Sequence, residues 1–154
     1  MKRGIGRLVF VLIVLLAGST LASAPAVATE LGDYLWKSRP LLLFAPSESD
    51  PRLVGTVDRI EASQCEIVDR DVVIGVVVTE GTSTLDGQAI DADESQRLMK
   101  RFAIAENAFT VLLIGKDGGE KLRVDEVPDL GAIYSVIDGM PMRNREASSG
   151  PSRC

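Results

Sequence analysis

An α/β fold with a four-stranded mixed sheet and helices on both faces is predicted by three features of the sequence. Two runs, residues 41–44 and 72–78, are continuously apolar, as strands buried on both faces are. A segment with helical spacing of apolar residues separates them, which predicts parallel pairing through a right-handed crossover. A third apolar run, 109–114, is joined to 121–124 by Lys116-Asp117-Gly118-Gly119-Glu120, a strong turn signal that makes these two an antiparallel pair.

Each element has its own grounds. Residues 31–36 form a short lead-in whose apolar residues include Tyr34 and Trp36; both are expected to pack across the sheet edge, with an exposed partner surface as the other reading. Pro40 is tolerated at a strand start and Pro46 ends the first strand. Asp50 is a good N-cap and Pro51 suits the first helical position. Leu53, Val57, Ile60 and Ile67 then recur at helical spacing, so one helix is expected to run to about Asp69. Residues 81–88 are small and polar and read as a loop. Asp91-Ala92-Asp93-Glu94 resembles a capping box and opens a helix to Phe102, with Leu98 and Phe102 facing inward. Pro128 and Asp129 start a last helix with Leu130, Ile133 and Ile137 on its apolar face; Gly139 sits at its C-cap and Pro141 prevents continuation. The order is β-α-β-α-β-β-α.

The ends bound the chain. Lys2, Arg3 and Arg7 precede a nearly pure apolar run over 8–17, and Ala26-Val27-Ala28 follows, the pattern of an export signal cleaved after Ala28. The rival reading is an uncleaved membrane anchor. Residues 1–28 are therefore expected as a signal peptide, 29–141 as one domain and 142–154 as a disordered tail. Cleavage removes three basic residues and no acid, leaving 14 Lys and Arg against 22 Asp and Glu, a net charge of −8. Such a surface disfavours nucleic acid, and no stable membrane insertion is expected once the signal is gone. The sequence has no histidine, so the commonest metal ligand and general base are both missing. Scattered acids such as Asp86, Asp91 and Asp93 lack calcium-loop spacing. No metal and no cofactor are expected.

Residues 41–51 follow the layout of the strand, active loop and helix start of thioredoxins, which Leu43-Phe44-Ala45 and the run Phe109-Thr110-Val111-Leu112-Leu113-Ile114-Gly115-Lys116-Asp117-Gly118 resemble. The resemblance implies a thioredoxin-like fold. A wider set also resembles a bacterial family of exported proteins without an assigned function. It comprises Tyr34-x-Trp36-Lys37-x-Arg39-Pro40 continuing to Ser47, Asp50-Pro51-Arg52, Arg70-Asp71-Val72-Val73, Asp86-Gly87, Phe109-Thr110, Gly115 to Lys121 and Asp138-Gly139-Met140-Pro141-Met142-Arg143. That family is similar to the peroxiredoxin-like domains of vertebrate sushi-repeat-containing matrix proteins, which again implies a fold and no activity. A redox thioredoxin needs a low-pKa cysteine at the first helix start, where the helix dipole favours a thiolate. Here Ser47, Glu48, Ser49 and Asp50 fill that loop, and Phe109 stands where the partnering proline belongs.

Two sites follow from these residues. Ser47, Glu48, Ser49 and Asp50, with Asn107 and Phe109, could form a small polar binding site at the carboxyl end of the first strand; the plainer reading, and the favoured one, is a capped helix start. Cys65 falls about 120° off the apolar face of the first helix, half buried, and could pair with Cys154 in an oxidising compartment. An Arg39–Asp71 ion pair is expected at the base of the sheet. The expected function is an exported, redox-inactive module for binding or protein interaction, periplasmic or secreted, with a protein or small-molecule partner and no enzyme activity. The alternative is a thiol oxidoreductase or peroxidase using Cys65. A small hydrolase is disfavoured because no Gly-x-Ser-x-Gly elbow and no histidine are present.

Overall fold

The computed structural model describes residues 31–151 and 153; the expected signal peptide and Cys154 lie outside them. After a 3-10 helix, Leu31–Tyr34, come β1 (Arg39–Ser47), α1 (Pro51–Ala62), α2 (Gln64–Asp69), β2 (Val72–Glu80), β3 (Ser83–Leu85), β4 (Gln88–Ile90), α3 (Ala92–Arg101), β5 (Thr110–Ile114), β6 (Glu120–Val124), α4 (Leu130–Asp138) and α5 (Pro141–Ser149). They build one mixed sheet in the order β4-β3-β2-β1-β5-β6. The β1–β2 pair is parallel and the others are antiparallel.

The unbroken apolar run of β1 is explained by its central place. Leu41, Leu43 and Ala45 point to one face, packing with Leu53 and Ile60 of α1 and Ile133 and Ile137 of α4. Leu42 and Phe44 point to the other, packing with Leu98, Met99 and Phe102 around α3. Phe44 and Phe102 meet edge to face at 6.3 Å.

The sheet has six strands where four are expected. Residues 81–88, read as a loop, carry β3 and the turn into β4. Asp86 and Gly87 have φ of 51° and 76°, so this Asp-Gly pair makes the tight turn whose twist suits a hairpin. The strands are three residues each, too short for alternation to show in the sequence.

The first helix is two. Ser63 Oγ donates to the Arg59 carbonyl at 2.9 Å and lies 2.6 Å from the Tyr134 hydroxyl; such back-bonding by serine competes with the backbone ladder, and the chain kinks at Ser63 into α2. Cys65 is therefore in the first turn of α2 and exposed, not half buried on the flank of a long helix.

The segment 142–154, expected as a disordered tail, instead carries α5. Pro141 ends α4 but also occupies the first position of the next helix, where its missing N–H costs nothing. Trp36 is 66% exposed, whereas Tyr34 packs against the α3 face; the expected edge packing holds for Tyr34 only.

Candidate functional site

The start of α1 is filled by the chain's own side chains. Asp50 accepts from Arg52 N–H at 2.9 Å and from the Arg52 guanidinium at 3.0 and 2.7 Å. Those guanidinium hydrogen bonds lower the Asp50 carboxyl to about 2. The Arg52 guanidinium also lies over the buried Phe109 ring, 5.1 Å from its centre. Glu48 accepts from Thr82 N–H, and Ser47 and Ser49 bond each other at 3.2 Å. Ser47, Glu48, Ser49 and Asp50 thus form one closed loop, tied to Phe109 through Arg52. Asn107 is exposed and stands apart from these contacts.

Cys65 is at the opposite end of α1 from that loop. The twelve residues of α1 span roughly 18 Å at 1.5 Å each.

A second constellation lies at the other end of the sheet. Arg39, at the start of β1, is fully buried. Its Nη1 donates to the Arg70 carbonyl at 2.8 Å and to Glu146 Oε2 at 3.0 Å, and its Nη2 to Glu146 Oε1 at 3.2 Å. Lys116, in the β5–β6 turn, reaches Asp71 Oδ2 and Glu146 Oε1, both at 2.7 Å. Arg143 bonds Asp69 and Asp138, Arg70 bonds Asp138 and Glu66, and Arg153 bonds Asp71. Burial alone would raise the Glu146 carboxyl, but the hydrogen bonds from Arg39 and Lys116 outweigh it and hold it below the ordinary range.

The expected Arg39–Asp71 ion pair is replaced by this network. The two residues do adjoin, with Arg39 N–H on the Asp71 carbonyl at 2.7 Å, but Lys116 takes the Asp71 carboxylate and α5 brings Glu146 to Arg39. Arg39, Arg70, Asp71, Lys116, Asp138 and Arg143, all within motifs quoted above for the family resemblance, converge here. Glu146, with Glu66, Asp69 and Arg153, is among the members the sequence did not signal.

On the α3 face of the sheet, a hollow of about 500 Å³ is lined by Tyr34, Leu98 and Ile114, with Arg97 and Arg101 among its polar walls.

The sheet order is that of a thioredoxin-like fold, and the start of α1 holds Ser47, Glu48, Ser49 and Asp50 with no cysteine among them. The chain belongs to the family described as Domain of unknown function (DUF4174), which matches residues 30–146. It is 22% identical over 132 residues to Coiled-coil domain-containing protein 80 of Danio rerio, covering 75% of this chain and only 15% of that protein. Among solved structures it is similar to reduced 2-Cys peroxiredoxin of Plasmodium vivax, with a TM-score of 0.57 and 13% identity over 75% of this chain and 72% of that one. Thioredoxin peroxidase I of Plasmodium yoelii gives 0.53 and 16% over 80% and 84%. At these identities the likeness shows the fold.

Proposed function

We propose that this chain is an exported, redox-inactive thioredoxin-like module that acts by binding a protein or small-molecule partner. The observation that carries this reading is Asp50 at the start of α1. A thiolate site needs the free N–H groups and positive dipole end of that helix, and here a carboxylate already takes them and is itself neutralised by Arg52. Cys65 stands at the far end of α1, in a helix of six residues.

Export, to the periplasm or outside the cell, is supported by the basic, apolar and Ala-x-Ala pattern over 2–28. Kinship with the domains of sushi-repeat-containing matrix proteins rests on the motif set alone. The net charge of −8 after cleavage supports a partner other than nucleic acid. The test is turnover of hydrogen peroxide, and of insulin with dithiothreitol, by the chain beginning at Thr29 and by its Cys65→Ser variant. Neither protein is expected to turn over. Turnover that disappears in Cys65→Ser establishes the thiol enzyme instead.

A further inference from the structure

We propose that Arg39 and Lys116 form a carboxylate-binding site, filled in this structure by Glu146 of α5, and that an acidic peptide segment of a partner displaces α5 to occupy it. This rests on the reading of the chain as a binding module and names the chemistry of its partner.

The site is built without α5. Arg39 is anchored in β1, paired in register with Val72, and aimed by the Arg70 carbonyl. Lys116 is anchored in the β5–β6 turn and held by Asp71. Their side chains are 1% and 7% exposed, so neither charge is satisfied by solvent. Together they present two guanidinium nitrogens and one ammonium to a single carboxylate, at 3.0, 3.2 and 2.7 Å. The planar fork selects a planar two-oxygen anion.

The helix that fills the site has no apolar anchorage of its own. No side chain of α5 is buried and its start has no side-chain cap. Nine residues are too few to be a stable helix alone. Its own side chains hold α5 by charge, Glu146 on Arg39 and Lys116 and Arg143 on Asp69 and Asp138, and Arg153, just beyond it, is fastened to Asp69 and Asp71, so the displaced helix undocks while staying tethered at both ends.

A further observation points to an exchangeable occupant. Arg39 Nε is buried and donates to no group among the described residues, and Arg39 lines a cavity of about 90 Å³ with Lys116, Lys121, Met140 and Met142. A buried unpaired donor is uncommon, and Glu146 leaves it unused. A peptide with successive carboxylates can satisfy the fork as Glu146 does and still offer an acceptor to that cavity. One carboxylate on a small molecule competes only above the effective concentration of tethered Glu146, on the order of millimolar. At Arg39 and Lys116 the acidic partner exchanges with Glu146 charge for charge, while undocking α5 returns Asp69 and Asp138, the partners of Arg143, to solvent.

The test uses the full mature chain and a hexaglutamate peptide. Hydrogen exchange of the α5 amides is followed on titration, and Trp36, whose backbone N–H donates to the Lys116 carbonyl at 2.7 Å, reports binding by fluorescence. The peptide is expected to speed α5 exchange about tenfold, and acetate to leave it unchanged. Glu146→Gln removes the internal competitor and is expected to bind the peptide about tenfold tighter; Lys116→Met, which keeps the Arg39–Glu146 contact, is expected to lose binding. The wild-type exchange measurement decides the matter even if Glu146→Gln folds poorly. Binding that leaves α5 exchange unchanged, binding retained in Lys116→Met, no binding at all, or an oligonucleotide of equal charge that releases α5 equally well would overturn the proposal. A silent peptide titration removes the carboxylate site alone, whereas peroxide turnover removes the redox-inactive reading alone.

Discussion

Arg39 and Glu146 stand 107 positions apart and meet in a two-point contact, Nη1 to Oε2 at 3.0 Å and Nη2 to Oε1 at 3.2 Å. A buried guanidinium that loses its carboxylate stays charged, and an uncompensated buried charge costs about 3 kcal/mol or more. Glu146→Leu is therefore expected to destabilise the fold by about 3 kcal/mol in urea unfolding. Adding Arg39→Met should recover most of that loss, because two apolar side chains leave no charge to satisfy. A double variant no more stable than Glu146→Leu would show that Arg39 does not depend on Glu146.

Gly75 tests how tightly the α3 face of the sheet is packed. A Cβ at this position would lie 2.6 Å from Leu42 Cδ2 and 3.0 Å from Leu85 Cδ1, and both leucines are fully buried. Neither can swing into solvent, so Gly75→Ala is expected to cost about 1–3 kcal/mol by overpacking. Thermal unfolding reads this directly, and an unchanged midpoint would mean that the leucines repack freely. The same position explains why a glycine sits inside an otherwise β-branched run: the β3 strand crosses close there, with Gly75 paired to Leu85.

How far such features could be read beforehand depends on the range of the interactions behind them. The runs over 41–44 and 72–78 and the turn after Ile114 report burial and turn geometry, which are local, and the central strands follow from them. The β3–β4 hairpin hid because three residues show no periodicity, although Asp86-Gly87 signalled its turn. The kink at Ser63 depends on a hydroxyl bond to Arg59 and on Tyr134, 71 positions away. Helix α5 has no apolar stripe at all and docks through ion pairs reaching Arg39 and Lys116, so its own segment carries no sign of order. Parallel pairing correctly brought Arg39 beside Asp71, but which carboxylate Arg39 takes is decided by Lys116 and α5, elements far off in sequence. The candidate loop was legible down to its cap, since Asp50 and Arg52 are two residues apart.

Acid should release the network at the base of the sheet before it unfolds the core. Burial would raise the carboxyls of Asp71, Asp138 and Glu146, but hydrogen bonds from Lys116 and Arg153, from Arg70 and Arg143, and from Arg39 and Lys116 respectively hold all three below their ordinary values. Each then binds its proton less readily in the folded chain than in the unfolded one. The stability they contribute is complete above the ordinary carboxylate range of about 4 and is lost as pH falls through the lower folded values. Thermal midpoints are expected to be flat above about pH 5 and to fall below pH 4, with a shallower fall in Glu146→Gln. Asp50, held at about 2 by Arg52, should keep its charge and its cap down to about that pH. A midpoint that rises on acidification would contradict these assignments.

The two cysteines provide a last check on how the C-terminal segment is fastened. Arg153 N–H donates to Asp69 Oδ1 at 3.1 Å and the Arg153 side chain pairs with Asp71, so the residue preceding Cys154 lies against the end of α2. Asp69 is four residues after Cys65 on that helix, hence on the same face. One disulfide between Cys65 and Cys154 is therefore predicted under oxidising conditions. Mass spectrometry of the unreduced protein should find it two hydrogens lighter than the reduced form, with a single cross-linked peptide. A crosslink closing so long a loop typically stabilises by about 2–4 kcal/mol, and reduction should remove that stability while speeding hydrogen exchange in α5 more than in β1. Equal acceleration in both elements would mean that the bond, where it forms, does not fasten α5 in particular, and free thiols under oxidising conditions would remove it from the account altogether.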